Sequence, residues 1–152
     1  MSLPNPLSAI FDLAIRKEEA AYQFYSALAQ RVKNPDVKEA FTGLSIEELR
    51  HKSLLTTLKA APLLETKFNP LPDYHVAESE EQPAVTPNMP LRDAVALAMK
   101  NEFQAAELYR TMAHASKETD VRMLFENLMN MELGHKHSLE ALFVDIAYPE
   151  VF

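Results

Sequence analysis

Shifting residues 14–58 of this chain by 84 positions lays them on residues 98–142 without a gap. Glu18 falls on Glu102, Ala21 on Ala105, Tyr25 on Tyr109, Phe41 on Phe125 and Leu44 on Leu128. The match continues with Glu48 on Glu132, Leu49 on Leu133, His51 on His135, Lys52 on Lys136 and Leu55 on Leu139. A duplicated unit folds twice into the same local structure, and neighbouring copies bury a shared core that neither closes alone.

Apolar residues recur with a 3.6-residue period over about Leu7 to Val32, Pro35 to Ala60, Pro90 to Ala115 and Asp120 to Val144. Four long helices are expected. Only two glycines occur, Gly43 and Gly134, both inside periodic segments, which removes phosphate-binding glycine loops and most β-turn chemistry. Asn34-Pro35-Asp36 reads as an N-cap, a proline at the first helical position and an acid in the first turn, and Thr119-Asp120 can start the fourth helix in the same way.

Residues 61–89 carry Pro62, Pro70, Pro72, Pro83 and Pro87, so no continuous helix runs there. A structureless stretch of that length needs a topological reason. A two-fold axis relating the hairpins runs the third helix parallel to the second, and a parallel neighbour demands a crossover the full length of the bundle. A helix of about 26 residues spans roughly 39 Å, well within reach of such a linker. The expected architecture is all-α: one domain, with a first hairpin over about 7–60, a crossover over 61–89, a second hairpin over about 90–144 and an apolar tail over 145–152.

Net charge is −7. An acidic surface disfavours nucleic acid and anionic membranes as partners, because both reward clustered Lys and Arg. The absence of cysteine excludes disulfides, thiol catalysis and iron–sulfur clusters, so any metal must be held by histidine and carboxylate. No run of about 18 apolar residues occurs and no basic segment precedes an apolar one at the N-terminus, which makes the cytoplasm the expected location.

The inward stripe of the second helix reads Phe41, Leu44, Glu48, His51, Leu55, Leu58, and that of the fourth Phe125, Leu128, Glu132, His135, Leu139, Leu142. Each is apolar except for one Glu and one His a turn apart. The first and third helices repeat the anomaly with Ala14, Glu18, Ala21, Tyr25, Leu28 and Ala98, Glu102, Ala105, Tyr109, Met112. Four carboxylates and two imidazoles therefore converge on the middle of an apolar core. Four buried ionised carboxylates are prohibitive without compensation, and two divalent cations cancel them when both histidines are neutral ligands. Oxygen and nitrogen donors suit iron or manganese, and zinc also fits. One Glu from each of two helices with Glu-x-x-His from each of the other two is the known di-iron arrangement of helical bundles.

On these residues, and on the Ala and Tyr that follow each first-helix Glu, the chain resembles the rubrerythrin branch of the ferritin-like di-iron carboxylate superfamily. The resemblance implies a ferritin-like four-helix bundle and two iron ions that react with hydrogen peroxide or dioxygen. It also implies bridging coordination by Glu48 and Glu132 and terminal coordination by Glu18, Glu102, His51 and His135. Rubrerythrins proper carry a further Glu one turn after the third-helix ligand, where this chain has Ala105 and Ala106, and most carry a rubredoxin module, which is absent here. The six-ligand set is nearer to that of bacterioferritin. A separate electron donor such as a rubredoxin is implied if the chain is enzymatic; a ferroxidase or iron-storage role and a non-catalytic interaction scaffold are the alternatives.

Tyr25 and Tyr109 are the candidates for a catalytic contribution beside the ligands, as hydrogen-bond donors to ligand carboxylates, with a tyrosine satisfied elsewhere in the core as the plainer reading. Glu19, Glu47, Glu107 and His137 point off the inward stripes and are expected on solvated surface, as are His114 and the linker residue His75. Where the first half has Glu19 and Glu47 the second has Phe103 and Met131. This extra apolar strip, together with the tail residues Leu142, Phe143, Val144, Ile146, Tyr148, Val151 and Phe152, points to a homodimer or larger oligomer, with a tail folded back over its own bundle as the alternative. The long linker makes exchange of hairpins between chains sterically feasible.

Overall fold

The computed structural model describes residues 6–62, 64–70 and 89–147. Its long helices are α1 (Pro6–Arg31), α2 (Pro35–Lys59), α3 (Leu91–Ala115) and α4 (Thr119–Ala147). Three of the four match their expected spans to within about a residue at each end, while α4 continues three residues past Val144. The Asn34 side chain caps α2 as expected, accepting from the backbone N–H of Asp36 at 2.9 Å and of Val37 at 3.2 Å. At the start of α4, Asp120 accepts from the N–H of Val121 at 3.0 Å.

The helices form two hairpins, α1 with α2 and α3 with α4, which face each other through α1 against α3 and α2 against α4. Side-chain contacts fix the directions. Phe11 near the start of α1 packs edge-on against Phe68, just beyond α2, and against Phe125 near the start of α4. These rings share one apolar cluster with Met112 and Ala115 at the end of α3. A second cluster at the opposite end gathers Leu28 and Val32, Phe41, Ala94 and Val95, and Leu139. The C-terminal ends of α2 and α3 thus lie together, so these helices are parallel. They are diagonal partners rather than the side-by-side neighbours expected from the symmetry argument. The chain leaves α2 at one end of the bundle and enters α3 at the other, so the two helices that the crossover joins meet it at opposite ends.

The start of the crossover is more ordered than its prolines imply. Leu64–Lys67 forms a 3₁₀ turn. Phe68 and Ser116 then pair as an antiparallel bridge, with Asn69 N–H to Ala115 O at 2.6 Å and Lys117 N–H to Lys67 O at 2.8 Å. The buried Phe68 ring is the reason: it closes the end of the core between Phe11 and Phe125. Leu142 and Phe143 lie in α4 as expected, and the helix runs on past Val144 through Ile146. Leu142, Phe143 and Ile146 are helical and pack on the chain's own second cluster. Tyr148, Val151, Phe152 and His75 lie outside the described residues. No helix among the described residues is long and apolar enough to cross a membrane.

Candidate metal centre

Between the two apolar clusters lies a polar layer. Glu18, Glu48, His51, Glu102, Glu132 and His135 are all buried, none more than 6% exposed. Ala14 and Ala98, one turn before the first-helix carboxylates, are buried as well. Side chains this small leave room for the Glu side chains to meet in the centre. All six residues expected from the sequence are brought together.

They meet as two overlapping groups. Glu18, Glu48, His51 and Glu132 form one, and Glu48, Glu102, Glu132 and His135 the other, each offering one donor atom per residue within 4.8 Å of the rest. Glu48 and Glu132 belong to both groups. The imidazoles lie nearly parallel, with centroids 6.0 Å apart, and each turns Nδ1 inward. His51 Nδ1 lies 2.7 Å from Glu132 Oε1, and His135 Nδ1 lies 2.8 Å from Glu48 Oε1. Each histidine therefore faces the shared carboxylate of the opposite hairpin, a geometry that follows from the repeat.

Both tyrosines reach carboxylates of the cluster, and they do so crosswise. Tyr25 on α1 donates to Glu102 Oε1 on α3 at 2.6 Å, while Tyr109 on α3 donates to Glu18 Oε1 on α1. The plainer reading of a tyrosine satisfied elsewhere is set aside. Each hydroxyl holds one oxygen of its carboxylate, and the other oxygen, Glu18 Oε2 or Glu102 Oε2, has no hydrogen-bond partner. Orphaned buried carboxylate oxygens beside inward imidazole nitrogens are the donor set that a divalent cation satisfies. The residues fit a dinuclear metal centre.

The electrostatics show the strain of the cluster without metal. Burial, then the field of Glu132, raises Glu18 well above the usual carboxyl range. Burial and the neighbouring Glu132 do the same for Glu102. Burial alone would raise Glu48 and Glu132, but their hydrogen-bonded neighbours prevail. Glu18, His135 and His51 hold Glu48 low, and Glu102, His135 and His51 hold Glu132 low. Although burial disfavours a charged imidazole, Glu132, Glu18 and Glu48 push His51 up to about 12. Glu102, Glu132 and Glu48 likewise raise His135. Protons thus supply the positive charge that the carboxylates demand.

One expectation needs correcting. Glu47 does not simply face solvent: its carboxylate contacts His135 Nε2, the outer nitrogen of that ligand, with the Glu47 side chain still 41% exposed. Its position about 100° round the helix from Glu48 turns it to the seam between α2 and α4. The other residues set aside stay outside the centre: Glu19 pairs with Lys52 at 3.3 Å, Glu107 with Arg110 at 3.2 Å, and His114 and His137 are exposed.

Fold and site together define a ferritin-like helical bundle with a buried Glu/His cluster of the dinuclear carboxylate kind. The chain belongs to the rubrerythrin family, whose model matches residues 9–143. Among solved structures it is similar to a hypothetical protein of Pyrococcus furiosus, at 29% identity over 94% of this chain and 91% of that one, with a TM-score of 0.75. It also shares its fold with a protein of Thermotoga maritima given as a ferritin-like diiron-carboxylate protein, at 20% identity over 88% of this chain and 91% of that one, TM-score 0.70. No curated protein matches it.

Proposed function

We propose that this chain binds two iron ions and works as an oxidoreductase that consumes hydrogen peroxide or dioxygen. The observation that carries this reading is the pair of four-donor groups sharing Glu48 and Glu132. Glu18 and His51 would complete one metal site, and Glu102 and His135 the other. Six protein ligands for two ions leave coordination positions open for an exogenous oxygen species, the condition for redox rather than purely structural binding. Manganese and zinc suit the same donors; family membership and the ferritin-like fold favour iron.

When bound, a ferrous pair would supply the two electrons that, with two protons from solvent, reduce hydrogen peroxide to two waters. The chain does the positioning. Tyr25 and Tyr109 hold one oxygen of Glu102 and of Glu18, which aims the other oxygen inward. The aromatic cluster around Phe11, Phe68 and Phe125 at one end and the cluster around Phe41 and Leu139 at the other keep bulk water out. A separate electron carrier such as a rubredoxin would restore the reduced state, and the cytoplasm is the compartment that suits this exchange.

A ferroxidase role is the second reading. It is favoured by buried Ala105 and Ala106, which leave no further carboxylate one turn beyond Glu102. Stopped-flow mixing of the anaerobically loaded di-ferrous protein with peroxide and with dioxygen separates the two. Turnover faster with peroxide is the expected result. Oxygen-driven accumulation of ferric mineral establishes the ferroxidase, and inertness toward both refutes oxidoreductase chemistry.

We further propose that the chain forms a homodimer, by simple docking or by exchange of hairpins across the crossover. Phe103 is 47% exposed and Met131 41%, where the first half has Glu19 and Glu47. Leu142, Phe143 and Ile146 are already half-covered by the chain's own core, so the interface is expected on the strip that includes Phe103. Sedimentation equilibrium at micromolar concentration should give twice 17.2 kDa, and Phe103→Glu should shift it to the monomer. A wild-type monomer alone refutes the dimer.

A further inference from the structure

The duplicated sequence builds a centre that is nearly two-fold symmetric, and one contact breaks the symmetry. Both histidines turn Nδ1 to the shared carboxylates, so both need their remaining proton on Nε2 when Nδ1 ligates a metal. For His135 that outer nitrogen meets the Glu47 carboxylate. For His51 it is buried without a hydrogen-bond partner. Adding 84 explains the difference, because the counterpart of Glu47 is Met131, whose thioether offers no carboxylate.

We propose that Glu47 is a positioning residue for His135 and makes the two halves of the centre unequal, so that the half built on His135 takes its metal first and more tightly than the half built on His51. The inference rests on the dinuclear reading above. An acceptor on the outer N–H of a ligating imidazole fixes its tautomer and ring orientation and increases its basicity, and losing such a partner costs about 10–100-fold in metal affinity. At His51 no acceptor meets the outer nitrogen, so that imidazole lacks this support to its orientation and basicity. The inner contacts match across the halves: Glu18 and Glu102 each take a tyrosine hydroxyl, and Glu48 and Glu132 each take an imidazole.

Glu47 can be changed without opening the core. It lines a groove between α2 and α4, of about 430 Å³, together with Asp36, Glu39 and His135. Its side chain is 41% exposed.

The test is an anaerobic titration of the metal-free protein with cobalt(II), followed by calorimetry and by the visible absorption of the bound ion. Wild type should bind two ions in steps separated by about 10–100-fold. Glu47→Met, which puts the same residue in both halves, should weaken the tighter step until the two merge. Met131→Glu should strengthen the weaker step and leave the tighter one in place. Mössbauer spectra of the iron-57-loaded di-ferrous protein should show two quadrupole doublets in wild type that converge in Glu47→Met. Two wild-type steps of equal affinity, or a Glu47→Met titration superimposable on wild type, overturn the inference while two bound ions still uphold the dinuclear reading. Uptake of less than one ion by wild type overturns both.

Discussion

Replacing Glu48 and Glu132 together by alanine is expected to abolish metal uptake and, with it, the stabilisation that metal gives the fold. These are the two residues common to both four-donor groups. Without them one half keeps Glu18 and His51 and the other Glu102 and His135, two donors each, too few to compete with water for a divalent cation. The metal-free variant loses the buried contacts of Glu48 with His135 and of Glu132 with His51 and gains two cavities, so its metal-free Tm is expected to fall. The contrast lies in the loaded state. With free metal at 1,000 times Kd, each site adds about 4 kcal/mol to wild-type stability, about 8–16 °C in Tm for a chain of this size. The double variant should show no such rise, and Glu126→Ala, an exposed acid on α4, should retain all of it. Metal analysis after anaerobic iron(II) loading, with thermal melts on the same samples, is the measurement. A stoichiometry equal to wild type in the double variant would sink the assignment of Glu48 and Glu132 as shared ligands.

The six central residues were legible in the sequence for a reason that applies to any bundle centre. A Glu or His inside an otherwise apolar 3.6-residue stripe is a conflict between local pattern and burial, and the same conflict in register in both halves leaves few ways to resolve it. Glu47 was not legible by that logic. A single-helix stripe gives the angle at which a side chain leaves its own axis, but the α2–α4 seam depends on how two helices pack, and Glu47 sits at that edge. The tyrosines illustrate the same limit. Their spacing from Glu18 and Glu102 marked them as donors to ligands, yet the exchange, with Tyr25 serving Glu102 and Tyr109 serving Glu18, exists only once α1 and α3 face each other. Prolines located the crossover but hid its ordered start, because the burial of Phe68 against Phe11 and Phe125 is a contact between distant parts of the chain. Periodicity placed the end of α4 at Val144, but Asp145-Ile146-Ala147 contains no helix breaker, the first being Pro149, and Ile146 finds the second apolar cluster.

Metal uptake is also expected to release protons, up to four for two ions, and to weaken steeply as pH falls. In the metal-free protein four groups are shifted toward their protonated forms. His51 is pushed up to about 12 by Glu132, Glu18 and Glu48 against the opposing effect of burial, and His135 is raised by Glu102, Glu132 and Glu48. Glu18 and Glu102 are raised by burial and by the charge of Glu132. All four must be deprotonated to act as ligands. Glu48 and Glu132 are held low and contribute no protons near neutrality, while Tyr25 and Tyr109 are held up and keep theirs throughout. The sign follows directly: the metal-free state binds more protons than the loaded state, so affinity rises with pH. Each proton exchanged changes the overall binding constant tenfold per pH unit, about 1.4 kcal/mol. The two imidazole protons alone therefore give about 100-fold per unit for the pair of ions. A pH-stat titration at pH 6.5 with anaerobic iron(II), paired with calorimetry in buffers of different ionisation enthalpy, counts the protons. Two to four released per pair of ions is the expected result. Fewer than one would mean that the histidines are neutral in the metal-free protein and that the inward carboxylates are balanced in some other way.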